Sequence, residues 1–550
     1  MPQKATRPSR DEIVSQDIRD LERLGYAQQL FREMGGFSNF AISFSIISVL
    51  TGAVLLYGYG LKFAGPIVNS VGWPLVSVLT LCVAASMAEL ASAYPTAGGL
   101  YFWAFRLGGR TWAWVTAWLN MIGQVTITAG INVAAAIYLI GAATRIFGLA
   151  PDARVPVFGS LTSWYFQVFV MAAIMVPQVW INVRGIRLTA RLNDLSVWWH
   201  IGGVLFIAVL LAAFGRHHNP VAFLFQATTA VSPLDAASAD FGGRAAPALV
   251  VGELKLPSPL FALIPALRDL YTAGPFALAF VLALLQAQWT YTGYDASAHV
   301  AEETTMARLS SAWGIVLSVA VSALVGYVML LIFTWCIPGG DVAKTASDAY
   351  PVLYVVYANL ATVWAHAIAL IIGGAMWLCG LASITSMGRM WYAFARDDGM
   401  PGARVLKQIH APSGTPLAAT LVTSLLAMLI CLYAAAYSVV TSISTIALYL
   451  AYGIPIWLNF RNRRRGSGEF VTGELAPWTL GRWAPLVNAI ALVWIAIITA
   501  VFVLPPNELV LWTMVLVAAS LAAYWGLHAR RHFRGPTPRG EARDEVAGPP

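Results

Sequence analysis

Charge is scarce in this sequence: Asp, Glu, Lys and Arg make up 11% of 550 residues, against roughly a quarter in a soluble domain. With 58% hydrophobic residues and a mean hydropathy of +0.68, the shortage excludes an ordinary water-facing globule and points to a polytopic membrane protein. Cysteine is scarce too. Cys82, Cys336, Cys379 and Cys431 stand singly in or beside apolar runs, with no CxxC pair or His/Cys cluster, so no disulfide framework and no metal site is expected. The chain also lacks GxxxxGKS/T, HExxH and any nucleophile–base constellation. No catalytic residue and no cofactor are therefore assigned, and an enzyme is not expected. The first 24 residues are charged and polar, unlike a cleavable signal peptide.

What is abundant is the long apolar run. Stretches of about 20 mostly apolar residues, the length of a spanning helix, recur along the chain and predict about twelve spans. All are helical, because a spanning segment must satisfy its own backbone hydrogen bonds. The net charge of +8 does not call for a nucleic-acid partner. With the N-terminus cytoplasmic, 26 of the 34 Lys and Arg residues fall in cytoplasmic segments, so basicity orients the chain in the bilayer. Arg461, Arg463, Arg464 and Arg465 are part of that orienting charge.

Taken in order, residues 1–35 form a cytoplasmic segment. Its first 20 residues are expected to be disordered, and an interfacial amphipathic helix with Leu21, Leu24 and Leu30 on its apolar face follows. Residues 36–214 hold five spans. The first, about Phe37–Gly60, carries Ser43, Ser45, Ser48, Thr51 and Gly52 at mid-span; the third, about Trp112–Phe147, carries Asn120, Gln124, Thr126, Thr128 and Asn132. Residues 215–272 are too long and too proline-rich for an ordinary connection and read as an external insertion, a place for a partner protein. Residues 273–460 hold five more spans, 461–531 two accessory helices, and 532–550 a polar tail.

The sixth span ends in QAQWTYTGYDASAHVAEE, Gln286–Glu303, where Thr290, Thr292, Gly293, Asp295 and His299 sit at or near membrane depth. An ionisable residue there marks a functional site, and glycine among hydroxyls suggests a broken helix. Spans one and six, three and eight, and five and ten are offset by roughly 240–250 residues, as in duplicated five-helix units. Five is odd, so the second unit is inverted relative to the first. The expected fold is all-α with a five-plus-five inverted repeat, and helices 1 and 6 are broken opposite one another.

MAELASAYPTAGGLYFWA, LNDLSVWWHI, TYTGYDASAHVAEET and SMGRMWYAFARDDGMP resemble the amino acid/choline transporter branch of the amino acid/polyamine/organocation superfamily. The resemblance covers about residues 20–530 apart from the insertion. It implies alternating access, with a substrate site between the breaks Leu50–Gly52 and Tyr291–Gly293. Leu50 departs from the small residue usual there, while Trp289, Asp295 and Gln124 match positions near the site.

An amino acid brings a carboxylate and an ammonium, both costly to desolvate. Free N–H groups around Thr51, Gly52 and Ala53, near Ser48, suit the carboxylate. Carbonyls around Trp289–Thr292 suit the ammonium, with Trp289 or Tyr291 above it. Asp295 can pair with a basic substrate or with His299 at i+4. His200 matches, through Asn193, a lysine of proton-coupled relatives, and imidazole titrates near neutrality. It is the candidate for the coupling proton, with Ser383, Thr385 and Ser386 as an alternative cation site. Glu302 and Glu303 with Arg389 or Arg396 form a candidate inner gate. The function expected is a plasma-membrane transporter of an amino acid or related amine such as 4-aminobutyrate, proton-coupled or exchanging, with both termini cytoplasmic. A choline-like amine permease, drawing on Trp289, Tyr291 and Tyr294 as a cage, and a transporter-derived nutrient sensor are the alternatives.

Overall fold

The computed structural model describes residues 9–150, 152–241, 244–251, 254–432 and 436–536. Among them ten helices are long and apolar enough to cross a membrane, or eleven if Pro265–Ala273 and Phe276–Thr290, which meet at 98°, count as one span. The difference from the expected twelve lies at the ninth, Leu417–Ile430. Its 14 residues make about 21 Å of helix against about 30 Å of hydrocarbon, and residues 433–435 beyond it lie outside the described residues.

Burial sorts the helices into an inner set and a lipid-facing set. The spans Gly36–Leu55 and Arg110–Phe147 are each 89% buried over their apolar window, whereas Glu508–His532 is 6% buried. Without any hydrophobic drive between helices in lipid, close packing needs small residues and polar contacts. The inner set supplies both: Ser43, Ser48, Asn120, Gln124, Thr128, Asn132, Ser383 and Thr385 are all buried.

The broken helices 1 and 6 run through this inner set. Helix 1 is helical over Gly36–Ile47, leaves that geometry at Ser48 (φ 30°, ψ 85°) and resumes at Gly52. Helix 6 is helical over Leu285–Thr290, opens over Tyr291–Asp295 with Gly293 at φ 88°, and resumes over Ala296–His299.

The N-terminal segment departs from expectation. Residues 1–8 lie outside the described residues, but Arg10–Arg23 is a helix closed by a capping box, Ser9 Oγ accepting from the Glu12 amide and Glu12 accepting from the Ser9 amide. The helix stops where interfacial helix was expected to begin, because Gly25 turns at φ 92°. Leu21 and Leu30 then insert into protein, each 1% exposed, and the chain continues as a strap towards Gly36. Asp17 accepts from the Met306 and Ala307 amides and so satisfies the start of the helix Ala307–Trp335. Burial raises the Asp17 carboxyl above its ordinary value, against the pull of Arg32 and the two amides. At the other end of the chain the last helix reaches His532, and Phe533 is buried; the tail from residue 537 lies outside the described residues.

The insertion forms a three-stranded antiparallel sheet of Ser238–Phe241, Arg244–Val251 and Leu254–Pro257, followed by the helices Pro259–Leu263 and Pro265–Ala273. Glu508 anchors it, accepting from the Ser258 hydroxyl and the Leu260 amide.

Candidate functional site

The two breaks touch. A Cβ on Gly52 would lie 2.8 Å from Thr290 Cα, and one on Gly293 would lie 2.2 Å from Ile46 Cγ2. Each break thus places its glycine where the other helix needs room. Between them lies a cavity of about 10 Å³, about enough for one water. Its apolar wall is Ile46, Ile47, Ile127, Ile131 and Trp289, and its polar edge is Thr51, Gly52, Thr290 and Thr292. As it stands the cavity has no room for a ligand larger than water.

The free backbone groups sit one step further along than expected. The Thr51 and Gly52 amides both bond to the Ser48 carbonyl. The next two, Ala53 and Val54, have no acceptor among the described residues, as the first turn of a half-helix dictates. On helix 6 the Trp289 carbonyl accepts from the Thr292 hydroxyl and the Tyr291 carbonyl from the Tyr449 hydroxyl. The carbonyls of Thr290 and Thr292 accept no bond among the described residues.

His200 is lodged against the first break. Its Nδ1 lies 2.7 Å from the Ser196 carbonyl, which only accepts, so Nδ1 carries a proton. Its Nε2 lies 2.7 Å from Ser48 Oγ, and Ser48 Oγ lies 2.6 Å from Thr51 Oγ1. The ring is fully buried, edge-on to Phe44.

Asp295 is surrounded by donors. Oδ2 faces Asn120 Nδ2 at 3.0 Å, Gln124 Nε2 at 3.0 Å and His299 Nε2 at 3.1 Å, while Oδ1 accepts from Tyr452 at 2.9 Å. Of the two partners the sequence left open for Asp295, the structure places His299 beside it. Gln124 is turned to this carboxylate and does not line the cavity. Tyr291 does not line it either: its hydroxyl bonds to Ser77 and its ring lies 4.8 Å from Trp73. Tyr294 lies tilted against Tyr452 with ring centres 5.1 Å apart, so of the three candidate cage aromatics Trp289 alone reaches the cavity. The alternative cation ligands turn apart, Ser383 to Thr128 and Thr385 to Asn182, and the buried Ser386 hydroxyl has no partner among the described residues.

A polar layer closes the Arg-rich end of the bundle. Glu302 takes a two-pronged contact from Arg396 at 2.8 and 2.9 Å, and Glu303 takes one from Arg389 at 2.9 and 3.1 Å. Both carboxylates are fully buried. Glu302 also accepts from the Ala97 amide at 2.9 Å. The strap adds main-chain bonds, Glu33 and Met34 amides to the Glu303 carbonyl, and Arg32 donates to the Ala301 and Thr304 carbonyls. Asp397 accepts from the Tyr26 and Tyr101 hydroxyls. Burial raises its carboxyl above the ordinary range, and Arg396 and the two phenols offset part of that. Arg463, read from sequence as orienting charge alone, donates to the buried Glu89 at 3.1 Å.

Several members of this constellation were not singled out from sequence. Ile127 and Ile131, at i and i+4 on one face of the third span, looked like any apolar pair. Tyr449 and Tyr452 in LYLAYG lay in a run with no other polar signal. Asn120 was legible only as interhelical glue.

A family model described as amino acid permease matches residues 34–527. The amino-acid permease BAT1 of Arabidopsis thaliana is 31% identical over 547 residues, covering 94% of this chain and 95% of the relative. Its homologue in Oryza sativa subsp. japonica is 31% identical over 540 residues, 94% of each chain. Amino-acid permease 2 of Neurospora crassa is 26% identical over 556 residues, 97% of this chain and 91% of the relative.

Proposed function

From the premise that this chain belongs to the amino acid permease family, we propose that it carries a zwitterionic amino acid or related amine, such as 4-aminobutyrate, across the plasma membrane by alternating access. The Arg-rich end, with both termini, then faces the cytoplasm. The observation that carries the reading is the meeting of the two breaks. The Ala53 and Val54 amides offer donors for a carboxylate, the Thr290 and Thr292 carbonyls offer acceptors for an ammonium, and Trp289 lines the cavity between the breaks. Helices 1 and 6 each open the first span of a five-helix unit, as an inverted repeat requires. Glu302, Glu303, Arg389 and Arg396 act as the inner gate, closed here.

Two observations favour a zwitterion over a choline-like amine. Asp295 is already engaged within the protein, Oδ2 by three side-chain nitrogens and Oδ1 by the Tyr452 hydroxyl, and Tyr291 and Tyr294 are turned away from the cavity. Purified protein is expected to gain thermal stability with a neutral amino acid, by about 2.7 kcal/mol at a hundredfold excess over Kd, and to take it up in proteoliposomes. Stabilisation without uptake would support a sensor instead, and stabilisation by choline alone would sink the zwitterion reading.

His200 is the proposed coupling group. Protonation converts Nε2 from acceptor to donor, reverses the Ser48 hydroxyl and so disturbs the Ser48–Thr51 contact that shapes the break. Uptake by His200→Ala should lose its dependence on an inward proton gradient, a change of about tenfold per pH unit at most for one proton. Wild-type pH dependence in that variant, or stimulation of uptake by sodium at fixed pH, would remove the role.

A further inference from the structure

The pair Asp295–His299 lies between the substrate cavity and the inner gate, and its bonds cannot be satisfied by a neutral imidazole beside a carboxylate. His299 Nδ1 faces the Ala97 carbonyl at 3.1 Å, and Nε2 faces Asp295 Oδ2 at 3.1 Å. A carbonyl only accepts, so Nδ1 carries hydrogen. The carboxylate oxygen also accepts, from Asn120 and Gln124 on the same atom. A neutral ring has one N–H and one lone pair, so in one tautomer the lone pair would face Asp295 and in the other the Ala97 oxygen. Both contacts are met only when the pair holds one further proton.

We propose that Asp295 and His299 form a proton-binding site, and that the bound proton latches the loop Tyr94–Gly99 onto the second half of helix 6. The inference rests on the transport reading, since a latch needs a gate to hold. Ala97 is gripped twice, its carbonyl by His299 and its amide by Glu302. After loss of the proton the ring keeps one N–H, which the Asp295 carboxylate takes as the stronger, charge-assisted acceptor, so the Ala97 carbonyl is released while Glu302 still holds the Ala97 amide. The sign follows from linkage: the closed gate binds the proton more tightly than the open one, so the proton favours the closed gate by the same factor. Cytoplasmic acid therefore holds the gate shut and cytoplasmic base releases it.

The other groups around the pair are accounted for. Helix 1 contributes Asn39 and Ser43, bonded to Ser297, and the helix Ala436–Arg465 contributes Tyr452, bonded to Asp295. Arg389 and Arg396 of the helix Thr362–Arg396 are held by Glu303 and Glu302, and Arg308 of the helix Ala307–Trp335 by the Ser92 and Leu475 carbonyls. None of these charges bonds to Asp295 or His299.

The test labels the latch from the cytoplasmic side. Thr96 is 1% exposed next to Ala97, and Ser467 is exposed at the same end. Thr96→Cys is reacted with an impermeant maleimide in proteoliposomes, native-cysteine background is subtracted, and rates are divided by those of Ser467→Cys to cancel thiol ionisation. Between about pH 6 and about pH 8 the ratio should rise at least about fivefold. It should stay within about twofold when His299→Gln, which cannot take up a proton, or Asp295→Asn is added. An unchanged rise in both variants, or a flat ratio in the parent, overturns the latch. Absence of amino acid uptake by the parent at any pH, with the pH-dependent labelling intact, would instead overturn the transport reading and leave the proton site standing. Elution of each variant as a folded monodisperse species is the control for misfolding.

Discussion

Gly52→Ala is expected to reduce uptake by about 100-fold or more, the scale on which a misplacement of about 1 Å acts at a reacting or binding centre. The added methyl would meet Thr290 at 2.6 Å from Oγ1, 2.8 Å from Cα and 2.9 Å from Cβ. None of those atoms can swing away, because Cα is backbone, Cβ is fixed to it, and the Thr290 hydroxyl donates to the Gln286 carbonyl at 2.7 Å. Helix 1 must therefore move off helix 6 directly beside the free Ala53 and Val54 amides. Removing the partner's side chain with Thr290→Gly relieves Cβ and Oγ1 but leaves Cα, so the double variant should recover only partly. Gly202→Ala, where a Cβ meets nothing within 4 Å, is the control and should stay within about twofold, since alanine is the better helix former. Wild-type uptake by Gly52→Ala would mean that the two breaks are never this close during transport.

The fold was legible wherever one physical constraint acted alone. Apolar length gives spans, and the offset between Gly52 and Gly293 gives paired breaks, because both signals survive any detail of packing. The N-terminal segment was not legible. Leu21 and Leu30 have the spacing of an interfacial helix, and only the competing preference of Gly25 for φ 92° ends that helix and sends the same leucines into protein. The short helix Leu417–Ile430 likewise sits in a run of adequate apolar length, which hydropathy counts without regard to where the helix stops.

At the site, residue type and spacing carried the placement of the breaks but not the direction of each side chain. Asp295 and His299 were expected on one face from i+4 spacing, and they are. Nothing in the sequence says that Asn120 and Gln124, also at i+4, converge on the same carboxylate from another span. That convergence changes what Asp295 can do, since an oxygen already facing three nitrogens is a poor partner for a substrate ammonium. Arg463 shows the same limit in reverse: a run of four arginines satisfies the orientation rule as a group, while a single member pairs with Glu89 across more than 370 residues of chain.

Glu303→Ala is expected to destabilise the protein more than Glu302→Ala, although both remove a carboxylate from a two-pronged arginine contact. Arg389 is fully buried, and among the described residues its Nη1 lacks a partner, as does Nε of Arg396. Taking away Glu303 leaves an uncompensated buried cation, a loss of about 3–5 kcal/mol. Arg396 is better provided for, being 11% exposed and lying 3.9 Å from the Tyr26 ring, which Glu302→Ala leaves in place. Replacing both members with Glu303→Met and Arg389→Met removes the charge together with its partner, and such exchanges are often neutral or stabilising. The thermal midpoint of the double variant should therefore return to or above that of the wild type, while Glu303→Ala stays well below it. The clamp is absent in both, so both should label faster at Thr96→Cys from the cytoplasmic side. A double variant as unstable as Glu303→Ala would show that the pair holds the fold by geometry that two methionines cannot replace. Recovery of stability without faster labelling would assign the gate to Glu302, Arg396 and the strap, and leave Glu303 and Arg389 as a structural pair.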